Sequence, residues 1–259
     1  MNSYSLYLLS NMTITDIKKR FQGSILGIFW AVIAPLIMLV IYTVIFSEVF
    51  SIKWNSDTSN KFEFAMMLFC GLCMYNMFST VLGRSVGLIE QNKNFVKKVV
   101  FPIEILPVTI TLSALFDCVI SIIVLIAATF ILTSNITITI LQVPVILLPH
   151  IVFCLGIAYF FSALSVYVKD MANFISILIT VCMYASPVFF PLSALPEKFR
   201  FFIMLNPMTY GMENMRLAVI HGEVLNFEYY LISVVSAVTF HLAGKWVFNK
   251  AKRGFADLL

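Results

Sequence analysis

The chain has 259 residues, of which 61% are hydrophobic and only 12% charged, with a net charge of +4. Its mean hydropathy is +0.96, where a soluble domain would carry about 25% charged residues. That much apolar surface excludes a water-soluble fold, and the small net charge gives no footprint for a nucleic-acid partner, so lipid is the solvent in which the elements are read.

Residues 4–22 read as an amphipathic interface helix. Tyr4, Leu8, Met12 and Ile14 can share a face, and Asp16, Lys18, Lys19 and Arg20 follow. The segment ends basic, whereas a secretory signal peptide begins basic, so none is read here. The first span covers 24–50. Within it Tyr42, Phe46 and Phe50 recur at i, i+4, i+8 and form one ridge. The ridge can be lipid or core packing, or an aromatic lining on which sugar rings slide. Pro35 should kink this span or leave a carbonyl free beside a cavity.

After a polar loop at 51–61, the second span covers 62–88. The segment 90–100 then carries Glu90, Asn92, Lys93, Phe95, Lys97 and Lys98, and Pro102 closes it. The third span covers 103–132 and holds Asp117 mid-span. An ionisable group at that depth is a candidate pore-facing or helix-bonding carboxylate, or else a protonated packing residue. Its partner is left unnamed, because Arg84 should sit at a different depth and snorkel to the interface. The fourth and fifth spans cover 143–168 and 171–191, parted by a tight turn at Lys169-Asp170.

Residues 192–226 differ from the rest. Prolines and charges interrupt stretches such as FRFFIML, which are too short to cross ~30 Å of hydrocarbon at ~1.5 Å per residue. They read as re-entrant or interfacial helices and contain Phe199, Phe202, Asn206 and Pro207. The sixth span covers 227–248. The expected fold is therefore an all-α integral membrane domain of six spans over 1–259. Twelve of the 17 Lys and Arg residues fall on the side holding both termini, 90–100 and the 169 turn. The positive-inside bias makes that side cytoplasmic.

Catalytic signatures are scarce. The sequence holds no GxxxxGK[ST], HExxH or GxSxG. Its three histidines are far apart, and the Cys70/Cys73 pair is embedded in an apolar run, which favours packing over metal or redox work. The rival class is a membrane glycan polymerase or ligase, for which 192–226, with Glu197, Arg200, Glu213 and Arg216, is the candidate loop. Scarce mid-span charges argue against an ion-coupled transporter.

Three stretches carry a resemblance: residues 16–46, residues 88–107, and residues 165–174 followed by 185–216. In this order they resemble the membrane subunit of polysaccharide-exporting ABC transporters, closest to the O-antigen export permeases, with capsule and teichoic-acid permeases as relatives. The resemblance implies a homodimer in the bacterial inner membrane with both termini cytoplasmic. It implies two copies of a separate ABC ATPase that bind ATP and Mg, with no cofactor in this chain. The implied cargo is a polysaccharide on undecaprenyl pyrophosphate. By the same resemblance, 90–100 couples to the ATPase and 192–226 forms periplasmic gate helices. Tyr42 and Phe46 match channel positions. Lys18, Lys19 and Arg20 sit where a lipid-linked pyrophosphate would arrive, although attraction to anionic lipid would also explain them.

Overall fold

The computed structural model describes residues 3–45, 61–96, 101–133, 137–190, 192 and 195–258. Among the described residues every regular element is helical. The helices are α1 (Ser3–Phe21), α2 (Trp30–Val44), α3 (Lys61–Ser85), α4 (Leu88–Gln91), α5 (Lys93–Val96), α6 (Ile105–Thr133), α7 (Val143–Tyr167), α8 (Met171–Tyr184), α9 (Glu197–Met204), α10 (Pro207–Arg216), α11 (Phe227–Ala251) and α12 (Phe255–Leu258).

Among the described residues five stretches are long and apolar enough to cross a membrane: Gly27–Val44, Phe62–Ser85, Ile105–Leu132, Ile138–Tyr167 and Phe227–Gly254. The fifth expected span, 171–191, is shorter in the structure. Helix α8 has 14 residues, which at ~1.5 Å per residue gives ~21 Å against ~30 Å of hydrocarbon. It stops at Tyr184 because Pro187 follows three residues on. Proline disfavours helix in the residue before it and supplies no N–H of its own.

Helix α3 is the central element. Ala65, Met66, Met67, Leu68, Cys70, Cys73, Met74, Val81 and Leu82 are fully enclosed, and their spacing runs around the whole helix, as expected for a helix surrounded by protein. It packs against α2, α6, α7, α8 and α10. The chain leaves α3 at Gly87, whose φ of 70° sits in the left-handed region. That reversal starts α4, which has buried Leu88 and Ile89 on its inner side.

The most extensive helix pair is α7 with α11. It closes on Gly156 and Gly244: a Cβ on Gly156 would lie 2.6 Å from the His241 backbone nitrogen, and one on Gly244 would meet the Gly156 carbonyl. Lipid removes the hydrophobic drive for helix association, so small residues that let backbones approach supply it through packing. At the ends of this pair Tyr167 donates to the Ala251 carbonyl at 2.8 Å, and Lys252 pairs with Glu104 at 2.5 Å. These ties fix the C-terminal end of α11 to the end of α7 and to the start of α6.

Candidate functional site

Helix α1 lies against α6, and its basic end is not simply a solvent-facing cluster. Asp16 and Arg20 are four residues apart and therefore share a face. Asp16 accepts from Arg84 of α3 at 2.6 Å. Arg20 donates to both carboxylate oxygens of Asp117, the second at 3.3 Å, and to the Ser113 carbonyl at 3.2 Å. Ser113 also faces Arg84, with its hydroxyl 3.4 Å from Nη1. Four charges of alternating sign thus tie α1 to α3 and α6. Burial alone would push the Asp16 carboxyl up, but the hydrogen bonds from Arg84 and Ser113 and the charges of Arg84 and Arg20 hold it below the usual range.

The partner of Asp117 is therefore Arg20, 97 residues away in sequence. Asp117 stands twelve residues into α6, ~18 Å along its axis at ~1.5 Å per residue, so the end of α1 reaches well past the start of that helix. Arg84 pairs with Asp16 and does not stand free. Lys18 and Lys19 are exposed beside Arg20.

Two cavities flank α1. One, of about 350 Å³, is lined by Arg20, Phe21, Trp30, Ala31, Ala34, Pro35, Met38, Phe69, Cys73, Asn76, Asp117 and Ser121. Its polar groups gather around the Arg20–Asp117 pair, and its rings come from Trp30, Phe69 and Phe21. Pro35 faces this cavity, where a carbonyl without its intrahelical donor is tolerated. The second, of about 290 Å³, lies between α1 and the 90–100 segment, with Asn11, Asp16, Lys19, Arg84, Gln91, Asn92 and Phe95 among its lining. In that segment α4 and α5 are two short helices. Glu90 and Lys93 are exposed, and Phe95 stacks on Phe101 with ring centroids 4.9 Å apart. Lys97 and Lys98 lie outside the described residues.

Tyr42 packs against the core of its own chain. Phe46 and Phe50 lie outside the described residues, so the ridge is placed only at its first member. In the 192–226 stretch, α9 exposes Phe199, Phe201 and Phe202 while Ile203 is buried. Asn206 starts α10 by accepting from the Met208 amide at 3.0 Å, and Pro207 occupies the first helical position, where no donor is needed. The same Asn206 donates to the Ala185 carbonyl at 3.1 Å and the Ser186 hydroxyl at 2.8 Å.

Arg216 closes this unit. Its side chain is 2% exposed and pairs with Glu213 at 2.6 Å. Its guanidinium donates to the carbonyls of Met67 at 3.1 Å, Pro187 at 2.5 Å and Val188 at 3.3 Å. Gly71 leaves the room, since a Cβ there would lie 2.9 Å from Arg216 Nη2. Asn206 and Arg216 together clamp the segment after α8 to α10 and α3.

Sequence reasoning missed Asn76 and Trp30 as cavity residues and placed Arg216 only among the charges of the 192–226 loop. Asn76 carried a legible signal, an amide near the middle of an apolar run. For Arg216 the signal was an arginine set against the apolar stretch LAVI.

An apolar helical bundle with amphipathic α1 tied into it by ion pairs defines a polytopic membrane protein. Within that class, residues 7–220 match the ABC-2 type transporter family, and the chain belongs to it. It is 29% identical over 258 residues to the O-antigen export system permease protein RfbA of Klebsiella pneumoniae, covering 99% of this chain and 96% of the relative. It is 25% identical over 252 residues to RfbA of Myxococcus xanthus, covering 96% and 94%. The polysialic acid transport protein KpsM of Escherichia coli is 28% identical over 217 residues, covering 82% and 80%.

Proposed function

We propose that this chain is the membrane-spanning subunit of an ABC transporter that exports a polysaccharide, of O-antigen type, carried on undecaprenyl pyrophosphate from the cytoplasm to the periplasm. The observation that carries this is the end-to-end match to an O-antigen export permease, 99% of this chain against 96% of that protein. The polysialic acid permease, matched over less of both chains, makes capsule export the second reading.

Two copies form the channel at their interface, with the first span facing the fifth. Two copies of a separate ATPase bind ATP and Mg and drive it. Their closing motion enters through 90–100. Helix α1 receives it directly, because α1 and α4–α5 line one cavity. Both termini are cytoplasmic, as the distribution of Lys and Arg favours. That parity needs an even number of crossings, so α8 with the clamped segment after it makes the fifth of six. Helices α9 and α10 then form the periplasmic gate, and α9 presents Phe199 and Phe202 outward. Lys18, Lys19 and Arg20 receive the carrier pyrophosphate, for which guanidinium and ammonium groups are suited. Tyr42, Phe46 and Phe50 supply rings along the path.

Reconstitution tests this. The chain and its ATPase in proteoliposomes should show ATP hydrolysis that rises with added lipid-linked polymer and falls when polymer is replaced by carrier lipid alone. Hydrolysis indifferent to polymer would contradict the proposal.

A further inference from the structure

The geometry points to Asp117 as a selectivity residue: it occupies Arg20 until an isoprenyl pyrophosphate bearing a sugar replaces it, and then accepts a hydroxyl of that sugar. This rests on the proposed function for the class of cargo, and adds a residue and a rule of discrimination to it.

Arg20 is the cation best placed for a pyrophosphate that has passed the surface, because it stands beside Asp117, twelve residues into α6. Yet its guanidinium is already used. It holds both Asp117 oxygens and the Ser113 carbonyl. An incoming anion must therefore break an internal ion pair. A pyrophosphate diester carries two negative charges and can engage the guanidinium fork bidentately, so it can displace a single carboxylate whose side chain is 36% exposed.

Displacement leaves Asp117 without its cation. A carboxylate in that position is costly unless something donates to it. The surrounding cavity of about 350 Å³ supplies the setting for a donor. Asn76 and Ser121 line it beside Asp117, and Trp30 and Phe69 present rings. A pyranose linked directly to the pyrophosphate brings hydroxyls to the carboxylate and C–H faces to the rings. A ligand with the anion but no sugar bears the cost and recovers nothing. Asp117 thus penalises the unloaded carrier and ordinary anionic phospholipid.

The test uses the full chain in phosphatidylcholine nanodiscs. Two probes are titrated: farnesyl pyrophosphate, and the same pyrophosphate carrying one N-acetylglucosamine. Wild type should prefer the glycosylated probe. Asp117→Asn should bind bare farnesyl pyrophosphate up to about fivefold tighter, the limit expected for losing a partly exposed competing ion pair, and its preference for the sugar should shrink. Arg20→Gln should weaken both probes, and Asp117→Asn added to Arg20→Gln should give no gain. Asp117→Ser, with thermal unfolding of every variant, guards against a folding defect. Unchanged or weaker binding of farnesyl pyrophosphate by folded Asp117→Asn and Asp117→Ser would overturn the inference. So would loss of pyrophosphate binding when phosphatidylglycerol is included, which would assign Arg20 to membrane lipid. Absence of binding to both probes in wild type would also overturn it. Polymer export is measured separately by deleting the gene in cells, so failure of this inference and failure of the proposed function are told apart.

Discussion

Replacing Arg216 by methionine should be among the most damaging single changes in this chain. The guanidinium is 2% exposed and serves four acceptors: the Met67, Pro187 and Val188 carbonyls and the Glu213 carboxylate. Methionine fills a similar volume and donates to none of them. A buried acceptor left unmatched costs roughly 1–3 kcal/mol. Summing all four would overshoot, because Glu213 is 21% exposed and can recover water. Breaking a buried ion pair by removing one partner costs roughly 3–5 kcal/mol, and Arg216→Met should fall in that range. For a chain of this size the midpoint of thermal unfolding should drop on the order of 10 °C. Arg216→Lys keeps one charge but not the fork, and should recover only part. The double variant Arg216→Met/Glu213→Gln removes the orphaned carboxylate and should be milder than Arg216→Met alone. Thermal unfolding of the purified chain in one detergent measures all three. Arg216→Met within about 1 kcal/mol of wild type would refute the clamp as described.

Gly156→Val should part α7 from α11 and lower stability by roughly 1–3 kcal/mol or more, read as loss of monodisperse protein on gel filtration; Gly156→Ala should be the milder change. The carboxyls of Asp16 and Glu104 are both held low: burial raises each, and hydrogen bonds and charge from Arg84 and Lys252 respectively outweigh it. Their stabilisation is therefore complete above the ordinary values of 3.8 and 4.5 and is lost as pH falls through the lower folded values. Thermal stability should be flat from pH 7 to about 5 and fall below that, and the Asp16→Asn/Glu104→Gln variant should show a shallower fall. Phe95→Ala, which removes a ring stacked on Phe101, should leave the chain folded but reduce polymer-stimulated ATP hydrolysis in the reconstituted complex. Tyr42→Ala with Phe46→Ala should lower export with the chain still in the membrane; wild-type export would remove both from the path.

Local pattern carried much of the helix layout. Hydrophobic run length placed helices near Lys61–Ser85, Ile105–Thr133, Val143–Tyr167 and Phe227–Ala251, within a few residues of the sequence limits. The early stop of α8 was written in Ser186-Pro187, but hydropathy averaged over the run from 171 to 191 hid it. What the chain could not reveal locally is pairing at a distance. Asp117 was visible as an outlying charge, while its partner Arg20 lay 97 residues away and had been given to the ligand. Arg84 looked like an interfacial cation because Asp16 was not known to stand beside it. The burial of Arg216 was not legible because its acceptors are backbone carbonyls on two other segments, and backbone acceptors leave no trace in residue type. Asn76 and Trp30 belong to one cavity only because α2 and α3 meet there.

The most direct test of polysaccharide export is deletion of this gene in its native host. Surface polysaccharide would be assayed by gel alongside lipid-linked polymer retained in the cytoplasm. Export predicts loss of surface polymer with full-length polymer trapped inside, restored by the wild-type gene. Loss at the surface with only short oligosaccharide precursors, and no trapped polymer, would place the chain in polymerisation and contradict the account.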